Sequence, residues 1–428
     1  MSGRFQTPRG TEDILPEDQP YWQAIHDAIA EITRLFGYAR IDTPTFEDAA
    51  LFEKGTGDTT DIVEKEMYVF EDRGGEPLAL KPEATPAICR AYLEHGLGSR
   101  PQPVRLFTSD RMFRYDRPQK GRYRQFVQFD CEAIGSADPS VDAELIELQW
   151  RLYERLGLTG IVVRLASIDD PGPRSDYVER LKAHYRPVAD QLSAESQLRL
   201  ERNPLRLLDS KEERDQPFKA SAPKLLDDLS DEAAAHLTSV QEALSAVEIP
   251  YELDPLLVRG LDYYNRTVWE LVPAGDERAQ AVMGGGGRYD GLFEVIGGPP
   301  TPGVGFATGL ERIILEMKRQ EVGVPEPAAL DVFVVHAGAE AGRAAIRAAS
   351  GLRAVGLATL VGESGRSFKA QMRRANGSGA RFAVIIGEDE VGRGTAALKD
   401  LRGEGAQEEV ALGDLSDRVS ARAREQAT

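Results

Sequence analysis

The chain has 428 residues, 41% hydrophobic and 29% charged, enough for two or three cored domains at roughly 100–200 residues each. No stretch approaches the roughly 18 consecutive apolar residues of a membrane helix, and the opening MSGRFQTPRGTEDILP lacks an apolar leader, so a cytosolic protein is expected. A formal charge of −18 argues against a general coat for nucleic acid or an anionic membrane.

Glu17 to Phe36 reads as an amphipathic helix, with Trp22, Ile25, Ile29, Ile32 and Phe36 on one face. ARIDTPTFED is extended, and Pro44 marks it as an edge or an interface. EMYVFEDRGGEPLALKPE predicts a hairpin turning at Arg73–Gly75. A helix then opens with Thr85 as N-cap and Pro86 at the first helical position.

PVRLFTSDRMFRYD and RQFVQFDCEAIG predict two antiparallel strands joined by a basic loop. Val127, Phe129, Cys131 and Ala133 give the second strand an apolar core face. Its other face carries Phe126, Gln128, Asp130, Glu132 and Ile134, and the apolar ends suggest a floor under a pocket. Residues from about 168 to 253 are charged and helix-prone and read as a helical insertion. A strand (RGLDYYNRTVWELV), a glycine turn (GGGGRYDGL) and a glycine-rich strand entering a helix (GVGFATGLERIILEMK) come next. QEVGVPEPAA is the expected linker, and strand and helix alternate beyond it, as in a small α/β domain with a mostly parallel sheet.

Charge is unevenly spread. From Asp331 onward there are 14 Lys/Arg against 13 Asp/Glu, which leaves −19 for the first 330 residues. Inside that acidic part Arg114, Arg117, Lys120, Arg122 and Arg124 stand against Asp116 alone, either an anion site or a solvated hairpin tip. Cys89 and Cys131 lack metal spacing and read as reduced core thiols, and the five histidines are scattered, so no metal site is expected. GVGFATG is one residue too wide for a dinucleotide fingerprint, and GGGGRYDG lacks the ending of a phosphate loop. What remains is a set of arginines and carboxylates offered to one pocket: Glu83, Arg114, Gln128, Glu132, Arg259 and Arg312. Arginine forks suit a transferring phosphate, and carboxylates suit an amine or imidazole.

At these residues the sequence resembles a known family. RMFRYDRPQKGRYRQFVQFDCEAIG is similar to motif 2 of the class II aminoacyl-tRNA synthetases, and GVGFATGLERIIL to their motif 3. RGLDYY and GGGGRYDGL resemble the two segments peculiar to the histidyl-tRNA synthetase family; PRGTEDILP, DIVEKEMYVF, KPEAT, NPLRLLDSK and RFAVIIGEDE extend the match over essentially the whole chain. The resemblance implies an α+β fold: a class II antiparallel sheet flanked by helices over 1–325, with the insertion at about 168–253, and a C-terminal α/β anticodon-binding domain over 326–428. It implies a homodimer with an interface near Pro44, and a two-step reaction. ATP activates L-histidine to histidyl-adenylate with release of pyrophosphate; the 3′-terminal adenosine of tRNA(His) then takes the histidyl group and AMP leaves.

Residue roles follow from the same resemblance. Arg259 and Arg114 match the arginines on the α-phosphate and are the expected catalytic pair, with both also reaching the bound histidine. Arg122 and Arg312 match arginines on the distal phosphates, and Phe126 matches the ring stacked on adenine, so that Arg114, Arg122, Phe126 and Arg312 make up the ATP site. Glu83, Thr85 and Gln128 match the pocket for the α-amine and carboxylate, and Glu132, Tyr264 and Tyr289, with Tyr263 alongside, the imidazole pocket. Arg117 and Gln119 match residues near the extra 5′ guanosine of this tRNA. Contact with tRNA through the second domain is expected at Lys369, Arg373 and Arg374. Magnesium is expected with the ATP rather than in a protein cage. Two positions depart from the family pattern: Asp130, usually small or uncharged, and Ala84, often glycine.

Three other readings stand beside this one. The family's regulatory paralogue, a subunit of ATP phosphoribosyltransferase, typically lacks RGLDYY and the anticodon-binding domain, and both are present here. A synthetase for threonine or proline is opposed by the imidazole-pocket match and by the missing zinc ligands. A plain tRNA-binding module is opposed by the full set of pocket residues.

Overall fold

The computed structural model describes residues 5–57, 60–119, 121–275, 282–325, 330–403 and 407–425. Lys120 of the basic loop and the last four residues of the expected linker lie outside them. The chain divides into two compact units, Met1–Val324 and Pro325–Thr428.

In the first unit β1 (Ala39–Arg40), β2 (Phe46–Asp48), β3 (Tyr68–Glu71), β4 (Pro77–Leu80), β5 (Val104–Phe113) and β6 (Gln125–Ile134) precede the helix Pro139–Arg155. After it come β7 (Ile161–Ile168), β8 (Tyr251–Leu253), β9 (Asn265–Pro273), β10 (Gly284–Arg288) and β11 (Gly303–Gly309). One eight-stranded sheet runs β1-β5-β6-β11-β10-β9-β7-β8, and β2-β4-β3 form a small sheet beside it. The six inner strands of the large sheet pair antiparallel, with β1 and β8 added parallel at the edges.

The alternation along β6 decides which face is which. Phe129, Cys131 and Ala133 join the main core under the helices Gln19–Phe36, Pro139–Arg155, Asp231–Ala246 and Leu310–Arg319. Each large apolar side chain buried there is worth about 1.5–3 kcal/mol. The first of these helices stops at Gly37, whose φ of 74° is left-handed and whose N–H returns to the carbonyls of Arg34 and Thr33. On the opposite face the helix Thr85–Glu94 packs Ile88, Cys89 and Tyr92 with Ile134 and Tyr289 and leaves a polar gap beside them.

Four local expectations need correction. Thr85 caps no helix: the N-cap is Ala84, and the Thr85 hydroxyl is committed to a buried carboxylate instead. The segment 259–264 is a turn, and its strand begins only at Asn265. The glycine run expected as a turn is β10, a central strand in which bare backbone makes room for side chains from its neighbours. As a packing unit the helical insertion is narrower than 168–253. Tyr177, Leu181, Leu200, Leu207 and Leu225 form its own core, whereas Leu237, Val240 and Leu244 of Asp231–Ala246 join the main core and 251–253 is an edge strand.

The second unit holds β12 (Val332–His336), β13 (Thr359–Val361), β14 (Phe382–Ile386), β15 (Thr395–Asp400) and β16 (Glu408–Ala411), ordered β13-β12-β14-β15-β16. The first three are parallel and the last two antiparallel, so the sheet is mixed rather than mostly parallel. The connection from Ile386 to Thr395 explains the reversal: a parallel crossover needs a dozen or more residues, and this one is shorter. The helix Phe368–Gly377 places Arg373 and Arg374 on a cavity of about 320 Å³ with Gly362, Glu363 and Gln371.

Candidate active site

Glu132 stands at the centre of the gap above β6. It is fully buried, and its carboxyl accepts from Thr85 Oγ1 at 2.6 Å and from Tyr289 OH at 2.5 Å. Burial pushes its pKa up to about 8 against the pull of those two donors. Glu83, on the loop before the helix Thr85–Glu94, accepts from Thr56 Oγ1 at 2.6 Å and from Tyr263 OH at 2.9 Å, and burial raises it too. The Tyr263 ring packs tilted on Tyr264 and edge-on against Tyr289, closing an aromatic wall. Burial lifts the Tyr264 hydroxyl to about 12, so it stays a neutral donor at physiological pH.

Two glycines keep the pocket open. A Cβ on Gly305 would fall 1.7 Å from Glu132 Oε2, and one on Gly285 would fall 2.9 Å from Arg259 Nη1. Thus β10 and β11 lend backbone, without side chains, to the floor.

A cleft of about 690 Å³ holds Gln128 together with Arg122, Arg259, Arg312, Gly284 and Gly285. Arg259 donates from Nη1 to Glu270 Oε1 at 2.6 Å, and its buried Nε has no partner among the described residues. Arg114 donates from Nε to the Pro82 carbonyl at 2.8 Å and lies 5.5 Å from the Phe126 ring centre. Arg312 bonds the carbonyls of Gly121 and Val282. Burial, then repulsion from Arg122 and Arg114, pulls the Arg312 pKa below its usual value. Cations held together against their own repulsion are a site for a polyanion.

The expected residues therefore fall into two adjoining groups. Glu83, Thr85, Glu132, Tyr263 and Tyr289 are joined by hydrogen bonds or ring contacts, with Tyr264 against them and Gln128 four residues before Glu132 on the same face of β6. Arg114, Arg122 and Arg312 face one another around Phe126 and Gly121. Arg117 and Gln119 lie apart on the loop between β5 and β6, where Arg117 is exposed and the Gln119 backbone bridges to Arg122.

Sequence reasoning missed several parts. Glu270 carried a signal, a lone acid inside the apolar run VWELV. Thr56 carried none, since it lies far from any motif it serves. Arg206 and Asn203 belong to NPLRLLDSK but received no role. Arg206 Nη1 donates to the Gly260 carbonyl at 3.2 Å, and Asn203 Nδ2 to Asp262 Oδ1 at 2.7 Å, tying the insertion to the turn that carries Arg259.

The model of the family described as histidyl-tRNA synthetase matches residues 10–313, and that of an anticodon binding domain matches residues 331–422. A histidine–tRNA ligase of Dehalococcoides mccartyi is 50% identical over 411 residues, 96% of this chain and 98% of that one. Another from Desulforudis audaxviator is 49% identical over 418 residues, covering 97% and 99%. The crystal structure of apo S. aureus histidyl-tRNA synthetase superposes with a TM-score of 0.81 at 35% identity, covering 97% of this chain and 100% of that one.

Proposed function

This chain belongs to the histidyl-tRNA synthetase family and acts as a histidine–tRNA ligase, and we propose that the two residue groups described above bind its substrates side by side. Glu83, Thr85 and Gln128 hold the α-amino and carboxylate end of histidine, and Glu132, Tyr264 and Tyr289, backed by Tyr263, hold the imidazole. Phe126 stacks on adenine, and Arg122 and Arg312 hold the distal phosphates. The observation that carries this reading is the cleft itself, where Gln128 of the amino-acid floor shares one cavity with Arg259 and Arg312.

The steps follow from those positions. A carboxylate oxygen of histidine attacks the α-phosphorus, the bond to the β-phosphate breaks, and pyrophosphate leaves. Arg259 and Arg114 stabilise the negative charge that builds on the α-phosphate oxygens. Glu270 orients Arg259 for this, because a fork fixed before the reaction has no reorganisation to undergo during it. A hydroxyl of the terminal adenosine then attacks the histidyl carbonyl, and AMP departs. Glu132 sets specificity, since a buried carboxyl fixed in place by two hydroxyls has its remaining acceptor capacity met by an imidazole N–H and by no side chain lacking such a donor there.

Magnesium would come with the triphosphate and would screen its charge, carried by the phosphate oxygens rather than by a protein cage. Arg117 and Gln119 read the acceptor end of tRNA(His), and Arg373 and Arg374 of the second unit contact the anticodon region. A second copy of the chain covers Phe46, Val69 and Phe70, which are 51%, 52% and 42% exposed on the small sheet next to Pro44. The described residues include no helix long and apolar enough to cross a membrane, and the cytosol is the proposed location. The regulatory alternative is less supported, because the 259–264 turn and the second unit are both present.

Charging of transcribed tRNA(His), with and without its extra 5′ guanosine, tests the assignment. Labelled histidine should transfer to the first and far less to the second. Transfer of another amino acid, or equal charging of both transcripts, would contradict it.

A further inference from the structure

We propose that Asp130 is an additional carboxyl ligand for the α-ammonium group of the substrate, set on the pocket floor between Gln128 and Glu132; the inference rests on the amino-acid assignment of that pocket. Alternation along β6 puts Gln128, Asp130 and Glu132 on one face, and Asp130 is 1% exposed. Its Oδ2 has no hydrogen-bond partner among the described residues. Thr108, directly opposite on β5, is fully buried with its Oγ1 also unpartnered, and the buried Oε1 of Gln128 has no donor either. Three neighbouring side chains thus present unpaired oxygens to one small volume.

The local cations do not satisfy them. Lys81 commits its Nζ to Asp110 at 2.7 Å and to Thr43, and the Arg114 Nε is held by the Pro82 carbonyl. On the other side β11 offers Ala307 opposite Asp130, which brings no side-chain donor. An ammonium group supplies three donors and no acceptor, which is the complement of these oxygens. Charged groups acting on Asp130 are Glu132 and Glu83, which oppose its ionisation, and Lys81 and Arg114, which favour it. Burial and the two carboxyls hold it well above the usual carboxylate range, and a cationic group brought against it acts in the opposite direction.

Titration calorimetry on the full-length protein tests this with two probes, L-histidine and its deamino analogue 3-(imidazol-4-yl)propanoate. The wild type should prefer histidine. In Asp130→Asn that preference should shrink at least tenfold, through weaker histidine binding with the analogue held within about twofold. Asp130→Ser provides the same comparison should the asparagine variant fold poorly, and Thr108→Val should move the ratio in the same direction by less. A preference unchanged in folded variants, or an equal loss for both probes, would overturn the inference. A wild type that binds the two probes equally, or neither, would overturn the pocket assignment beneath it.

Discussion

Gly305 of β11 lies opposite Glu132 of β6 so closely that a single added methyl would stand 1.7 Å from Glu132 Oε2. The carboxylate can occupy its place between Thr85 and Tyr289 only because position 305 has no side chain. Gly305→Ala is therefore expected to displace Glu132 and lower kcat/KM for histidine by about 100-fold, the scale of an ångström-level misplacement. ATP binding should persist. Steady-state kinetics beside ATP titration check this, and an alanine variant with normal histidine kinetics would contradict it.

Glu132 also predicts a pH-dependent stability. Its pKa of about 8 in the native empty pocket exceeds the ordinary carboxyl value, so the folded chain retains a proton that the unfolded chain has already released. The stability it contributes is complete below about pH 4.5 and is lost as pH rises through about 8. Glu132→Gln removes that loss. Its melting temperature should exceed the wild-type value by about 2 °C or more at pH 9, and by less near pH 5. Histidine binding should fall throughout. Melting curves at both pH values decide the matter, with an equal shift at each counting against the account.

Around the phosphates the prediction has the opposite logic. Arg312 is held against Arg122 and Arg114, with Glu270 acting in its favour but no ion pair to it among the described residues, so Arg312→Gln should relieve repulsion in the protein without ATP. KM for ATP should rise about tenfold, equivalent to about 1.4 kcal/mol. Thermal stabilisation by added ATP should shrink accordingly, while histidine affinity stays the same.

Arg206 ties the insertion to the catalytic turn through the Gly260 carbonyl and to the segment before β3 through Asp61 at 2.9 Å. Arg206→Met keeps the stem and loses both contacts. It should lower kcat by roughly 10–100-fold while KM for ATP changes little, since the turn that aims Arg259 is loosened and the distal phosphate site is not. A drop in KM alone would assign the insertion a different role.

How far the sequence reveals this site depends on the range of the interactions. Period-two alternation along 125–134 placed the core and pocket faces of β6, because on a half-buried strand every second residue shares an environment. The resemblance of RGLDYY and of the motif 2 and motif 3 segments pointed to the family. What stayed hidden was long-range. Thr56 meets Glu83, Arg206 meets Gly260, and Thr85 leaves its helix end to bond Glu132, each across a separation that no local pattern records. The glycine run misled for a physical reason: four glycines in a row read as a turn until neighbouring strands supply the crowding that only glycine tolerates.

The central claim is that one cleft joins histidine to the α-phosphate of ATP under Arg259. Pyrophosphate exchange into ATP, run on the purified protein over a panel of amino acids beside Arg259→Ala, tests it most directly. Exchange should depend on L-histidine alone and fall by about 10²–10³ in the variant. Exchange driven by another amino acid, or none with histidine in folded protein that binds ATP, would contradict the account.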